Sequence, residues 1–160
     1  MRNSTASLYL QSKQGVLHMS ESIGNVASCL CGNVKISAAT IDPKFSVCHC
    51  NSCRKWGGGP LFMAQCGTDV KFEGQDFIKE FNSSSWASRS FCLNCGTHLF
   101  SQFKKDGSYN IPVGLFPNTQ GLVMGMQYFS DLRPEYYCFS NETPEMTEAQ
   151  IQAYFASLGS

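Results

Sequence analysis

The sequence predicts a small, mainly β domain closed by a C-terminal helix. Three observations predict it. The chain has 160 residues, a length that usually makes one domain. Apolar and polar residues alternate over short runs separated by Gly, Asn, Asp, Ser and Pro, which is the patterning of strands and turns. Helical periodicity is clear only near the C-terminus, where Ile151, Tyr154, Phe155 and Leu158 fall at i, i+3, i+4 and i+7, behind a Thr147/Gln150 capping-box pattern.

Taken in order, residues 1–20 are polar and lack the apolar core and cleavage site of a secretory signal. They read as a disordered arm or tag-like extension, with Met19 an alternative start, ahead of a single domain over residues 21–160. Residues 24–31 (GNVASCLC), a Gly32-Asn33 turn and the alternating Val34-Lys35-Ile36-Ser37-Ala38 predict a hairpin whose first arm carries Cys29 and Cys31. Asp42-Pro43 breaks the pattern, and Phe45-Ser46-Val47 is a short strand delivering Cys48.

Lys55-Trp56-Gly57-Gly58-Gly59-Pro60 reads as a loop, because three glycines and a proline suit neither helix nor strand. Such a loop can approach a ligand closely and offer successive N–H groups to an anion. Leu61 to Cys66 is an apolar buried strand, with Cys66 a core side chain. Strands follow at Val70–Glu73, Ile78–Phe81 and His98–Phe103, and Trp86–Phe91 leads into the Cys92 turn. An Asp106-Gly107 turn leads to Tyr109–Val113, where Pro112 suggests an edge strand. Asp131-Leu132-Arg133-Pro134 reads as a polar loop.

Composition excludes several function classes. Twelve basic and twelve acidic side chains leave no formal net charge, so there is no basic field for nucleic acid. No apolar run reaches the ~20 residues of a membrane-spanning helix.

The nine cysteines carry the chemistry. An odd number argues against a closed disulfide framework. Cys-x-Cys and Cys-x-x-Cys pairs close loops too small to hold a fold together but chelate metals well. In an extended segment residues i and i+2 face one side, so Cys29 and Cys31, or Cys48 and Cys50, can point at one ion. Cys92-Leu93-Asn94-Cys95-Gly96 reads as a zinc knuckle, with Gly96 free to take a positive φ. Setting aside Cys66 and Cys138 leaves seven cysteines. These divide into four for a closed structural site and three for a site with an open position. All-sulfur tetrahedral donors suit zinc, which gives two zinc ions per chain.

Cys29-Leu30-Cys31-Gly32, Cys48-His49-Cys50-x-x-Cys53-Arg54 and Arg89-x-Phe91-Cys92-x-x-Cys95-Gly96-Thr97-x-Leu99 together resemble the glutathione-dependent formaldehyde-activating enzyme family, which also includes centromere protein V. The resemblance spans about residues 24 to 140. It implies an Mss4-like fold of small β-sheets around zinc. It implies a structural zinc on Cys29, Cys31, Cys92 and Cys95, and a second zinc on Cys48, Cys50 and Cys53 with its fourth position for water or substrate. It also implies a carbon–sulfur lyase activity that joins formaldehyde to glutathione. The chain departs from the characterised enzymes at His49, where those carry a small residue.

On this reading the partner is a small thiol and an aldehyde, not nucleic acid or membrane, and the location is cytoplasmic. The second zinc lowers the pKa of a substrate thiol or polarises an aldehyde oxygen. Arg54 and Lys55 meet the carboxylates of a glutathione-type thiol, or Arg54 balances the charge of the thiolate cluster, and Trp56 with Gly57, Gly58 and Gly59 lines the groove. His49 is an outward-facing residue or an acid/base, His98 is structural, and Arg89 donates to the knuckle thiolates or faces solvent. The alternative is a non-catalytic zinc module for protein or macromolecular interaction, with the three-cysteine cluster closed by Cys66, His49 or Cys138. A third use is redox cycling of Cys48, Cys50 and Cys53.

Overall fold

The computed structural model describes residues 25–157; the predicted arm over residues 1–20 lies outside them. In chain order the strands are β1 (Val26–Ser28), β2 (Lys35–Ala38), β3 (Lys44–Cys48), β4 (Leu61–Gln65), β5 (Val70–Glu73), β6 (Ile78–Asn82), β7 (Ala87–Cys92), β8 (His98–Phe103), β9 (Tyr109–Pro112), β10 (Val123–Tyr128) and β11 (Glu145–Met146). Two α-helices, α1 (Asn51–Gly57) and α2 (Glu148–Ser157), and three single-turn 3-10 helices complete the regular structure. The fold is mainly β with a C-terminal helix, as the patterning predicts.

The strands form a three-stranded antiparallel sheet, β1-β2-β5, and an eight-stranded sheet ordered β11-β10-β3-β4-β9-β8-β7-β6. Alternation decides which faces meet. In β2 Ile36 and Ala38 turn inward while Lys35 faces solvent. They join Ala27, Ala64, Leu99, Phe100 and Ile111 in a core shared by the two sheets. Phe72, Phe100 and Tyr109 pack as a triad there, with ring centroids 5.0 to 5.5 Å apart. Each fully buried side chain of the size of Ile36, Leu99 or Ile111 contributes about 1.5–3 kcal/mol.

At Gly74 the chain leaves β5 pressed against the backbone that enters β2. The Gly74 φ is +75°, and a Cβ there would lie 1.8 Å from the Asn33 carbonyl oxygen, so only glycine fits.

The large sheet curls strongly. Cys53, just beyond β3, lies 3.5 Å from Arg89 on β7, although three strands stand between β3 and β7 in the sheet. That curl makes the hollow in which α1 sits.

Three expectations are corrected, and two strands carry no sequence expectation. β9 is an interior strand between β4 and β8. Pro112 is tolerated because β8 pairs with β9 only at Tyr109 and Asn110, so at Pro112 the ladder runs on the β4 side alone. Cys29 and Cys31 lie in the turn beyond β1, not on the strand. β10 and β11 were not legible. β10 (VMGMQY) runs parallel to β3 and β11, and its glycine and methionines give no clean alternation of type. Finally, the apolar stripe of α2 buries only Ile151; Tyr154 and Phe155 stay half-exposed, Phe155 meeting Trp86. The capping box is present, with Gln150 accepting from the Thr147 N–H at 2.8 Å. Leu158 lies outside the described residues.

Candidate metal centres

Two turns build the first cluster. Beyond β1 the Gly32 N–H donates to the Cys29 carbonyl at 3.0 Å, and the Val34 N–H donates to the Cys29 sulfur at 3.2 Å. Beyond β7 the Gly96 N–H donates to the Cys92 carbonyl at 2.8 Å, with Gly96 at φ +73°. The Leu30 N–H reaches the Thr97 hydroxyl at 3.1 Å and ties the turns together.

The sulfurs of Cys29, Cys31, Cys92 and Cys95 therefore lie within 4.8 Å of one another. The Thr97 hydroxyl, 3.1 Å from the Cys95 sulfur, holds that thiol down to about 5. Cys31 is also lowered, chiefly by a hydrogen bond from Asn94. Burial pushes Cys92 up to about 11. The turns thus favour thiolates that repel one another, an arrangement suited to a cation.

The second cluster is delivered by the end of β3 and the start of α1. Cys48 is the last residue of β3. Cys50 is the N-cap of α1, extended at φ −60° and ψ 156°, and its sulfur accepts from the Cys53 N–H at 3.4 Å. Cys53 sits in the first helical turn and faces inward with Leu61 and Met63. The three sulfurs lie within 4.8 Å of one another. Hydrogen bonds from Cys48 and then Cys53 pull Cys50 down to about 2, while Cys48, donating to Cys50, is pushed far up. One charge is easily carried and further charges are resisted. Three thiolates together require a cation.

α1 corrects the expected loop at Lys55–Pro60. The thiol cap starts the helix, and the glycines end it rather than preventing it. Gly58 takes φ +76° and its N–H closes on the Arg54 carbonyl at 2.8 Å. Gly57 is the last helical residue; only Gly58, Gly59 and Pro60 remain outside regular structure before β4.

His49, between two of the cluster cysteines, is fully buried, which corrects the outward-facing expectation. Its Nε2 lies 3.0 Å from Gln127 Oε1 and its Nδ1 2.8 Å from the Tyr137 hydroxyl. The Gln127 amide nitrogen donates to Thr143 and Glu145, and Arg133 donates to Gln127 Oε1. Gln127 Oε1 is thus an acceptor, so His49 carries its proton on Nε2 and accepts from Tyr137 at Nδ1. Burial lowers its pKa and keeps it neutral. Both ring nitrogens are occupied.

The other candidates for a fourth ligand also stand apart. Cys66 is buried in the shared core and its thiol rises to about 11 on burial. Cys138 is exposed. Among the described residues no His, Cys, Asp or Glu ligand atom joins Cys48, Cys50 and Cys53.

Around the second cluster, Arg89 is buried and donates from Nη2 to the Cys53 sulfur at 3.5 Å. It serves this cluster, not the knuckle beside it in sequence, and it does not face solvent. Trp56 stacks on His98 at 4.3 Å and touches Phe81 and Phe91. Burial lowers the pKa of His98.

On the outer side of α1, Asn51, Arg54, Lys55, Gly58, Gly59 and Tyr136 line a shallow cavity. Arg54 Nε donates to the His49 carbonyl at 2.9 Å and Nη2 to Asn51 at 2.6 Å, so part of its donor set is spent on holding the loop. Trp56 and Gly57 do not line this cavity. Sequence reasoning missed Gln127, Tyr136 and Tyr137, which lie on or beyond the unseen β10 and carry no local motif.

Residues 25–132 match the family described as glutathione-dependent formaldehyde-activating enzyme. The chain belongs to that family. A Schizosaccharomyces pombe protein named as an uncharacterized lyase is 32% identical over 125 residues, covering 78% of this chain and 91% of the relative. A crystal structure of a Rhodobacter sphaeroides protein superposes with a TM-score of 0.51 at 19% identity, covering 76% of this chain and 99% of the other, and shares the fold. The formaldehyde-activating-enzyme match contains both cysteine clusters and Arg89. It ends before Tyr136, Tyr137 and α2.

Proposed function

We propose that the protein is a zinc-dependent enzyme of the carbon–sulfur lyase class, acting on a glutathione-type thiol and its aldehyde adduct. Cys29, Cys31, Cys92 and Cys95 would hold a closed structural zinc, and Cys48, Cys50 and Cys53 an open one. The observation that carries this reading is the asymmetry of the two clusters: one offers four sulfurs, the other three with no further protein ligand among the described residues. A tetrahedral ion with three protein ligands keeps one position for substrate. A zinc ion in the open centre supplies a Lewis acid that makes a thiol acidic or polarises a carbonyl.

The chain's own residues do the rest. Lys55 and the donors that Arg54 has left face the cavity beside the ligand helix and meet the carboxylates of the thiol, Arg54 by its planar fork and Lys55 as a point charge. Gly58 and Gly59 leave that cavity open at the backbone, and Tyr136 forms its far wall. Trp56 and Gly57 support the groove indirectly, Trp56 by its stack on His98. His49, neutral and fully hydrogen-bonded, fixes the chain between Cys48 and Cys50 and is not an acid or base. None of the nine cysteines is in a disulfide, which suits a reducing cytoplasm. No helix among the described residues is long and apolar enough to cross a membrane.

The test is metal stoichiometry with two substitutions. Cys50→Ser should lose one zinc and the lyase activity, read as S-hydroxymethylglutathione formed, yet stay folded. Cys95→Ser should lose the closed site and unfold. Equal unfolding of both variants makes both sites structural and points to the interaction-module reading. Absence of glutathione binding at millimolar concentration removes that thiol as substrate.

A further inference from the structure

Arg89 is the only Arg, Lys, Asp or Glu that is buried among the described residues. A guanidinium keeps its proton in any protein environment, so β7 carries a full positive charge into the interior. Burying an unpaired charge is heavily disfavoured. Yet the ion pairs among the described residues are Lys35–Glu73 and Arg133–Glu145, and neither involves Arg89. Its Nη1 donates to the Ser83 hydroxyl and its Nη2 to the Cys53 sulfur, while Nε has no partner. Among the described residues the one side chain it touches that can carry negative charge is Cys53.

We propose that Arg89 is the counter-ion of the three-cysteine centre, a positioning residue that orients Cys53 and offsets the charge three thiolates leave around a divalent cation. Three thiolates on such a cation carry one excess negative charge, and one guanidinium in contact with them brings the local sum to zero. The four-cysteine cluster uses a different device: its sulfurs receive backbone N–H groups and the Thr97 hydroxyl, and it has no buried cation. Ser83 anchors one arm of the guanidinium from the turn after β6, so the other arm reaches Cys53 in a fixed direction. The role rests on the reading that Cys48, Cys50 and Cys53 hold a divalent ion.

The experiment compares parent, Arg89→Met and Arg89→Lys proteins by zinc competition against a chromophoric chelator. Cobalt substitution reports the sulfur-to-metal absorption of each site. Removing an outer partner of a metal ligand typically weakens metal binding by about 10–100-fold. Arg89→Met should therefore weaken the more labile of the two metals by that factor and leave the tighter one unchanged. It should also shift the cobalt–thiolate absorption, because the Cys53 sulfur loses its donor. Arg89→Lys, which keeps the charge, should recover part of the affinity. Ser83→Ala keeps the charge but frees the guanidinium, and should weaken the same metal, by less than Arg89→Met does.

Unchanged affinity and cobalt spectrum in Arg89→Met overturn the proposal. If that variant does not fold, unchanged values in Ser83→Ala overturn it instead. A parent protein that binds one metal only overturns the open-centre reading and the proposal with it. A parent that binds two, with no response to Arg89 or Ser83, overturns the proposal alone.

Discussion

His49→Leu tests whether this histidine is a frame or a ligand. Leucine fills a similar volume, so the substitution removes polarity with little cavity. The lost interactions are the 3.0 Å bond to Gln127 Oε1 and the 2.8 Å bond from the Tyr137 hydroxyl. Each intramolecular bond contributes about 1 kcal/mol net, and a buried partner left unpaired adds about 1–3 kcal/mol. The partners are partly provided for: Gln127 Oε1 keeps its bond from Arg133 at 3.0 Å, and Tyr137 is half-exposed and can turn to water. The cost should therefore fall near the lower end, about 2–4 kcal/mol. A domain of this size shifts by roughly 2–4 °C per kcal/mol, so the melting temperature in saturating zinc should drop by roughly 5–15 °C. Urea titration should move the midpoint and keep the slope. Metal content should equal that of the parent. A variant that melts like the parent but carries one metal fewer would refute the reasoning, because His49 would then be a ligand.

Two further outcomes follow from the geometry. Thr97→Val removes the hydroxyl beside the Cys95 sulfur, so in chelator competition the metal of the four-cysteine site should bind about 10–100-fold more weakly; an unchanged affinity denies the hydroxyl its role. Gly74→Ala puts a Cβ 1.8 Å from the Asn33 carbonyl oxygen and should cost more than about 2 kcal/mol, beyond most single substitutions. Thermal melting reads it, and a loss below about 0.5 kcal/mol would show that the Asn33–Val34 backbone yields freely.

What could be read in the chain follows from how local each signal is. β2, β5, β8 and the α2 capping box were legible because alternation and capping act over a few residues. The count of seven cysteines as four and three is legible because chelation is also written in short spacings, whereas the joining of Cys29 and Cys31 to Cys92 and Cys95 is implied by the family resemblance. α1 escapes the sequence because a glycine run reads as a breaker throughout, whereas Gly58 terminates a helix that Cys50 starts. β10 was unseen because it is defined by its neighbours β3 and β11 rather than by its own pattern. His49 turned inward for the same reason. Its burial is decided by Gln127 on β10 and by Tyr137 beyond it, 78 and 88 residues away in sequence.

The two cysteine clusters solve one electrostatic problem in different ways, and the difference bears on function. A closed four-sulfur site needs only dipoles. Backbone N–H groups and the Thr97 hydroxyl reach its sulfurs directly, and the two turns that supply them are joined by the Leu30–Thr97 bond. A three-sulfur site meant to exchange its last ligand cannot be wrapped in this way without covering the open side. Its support has to come from behind and from within the chain. Arg89 reaches Cys53 from β7, on the far side of the curl, while His49 is clamped between Cys48 and Cys50 by Gln127 and Tyr137. Arg54 ties the helix back to the His49 carbonyl, and the outer side of α1 stays free for the cavity. On the proposed function, a site supported from behind by a buried charge and a buried histidine, with glycines and a basic pair in front, would keep its metal while a small anionic thiol comes and goes.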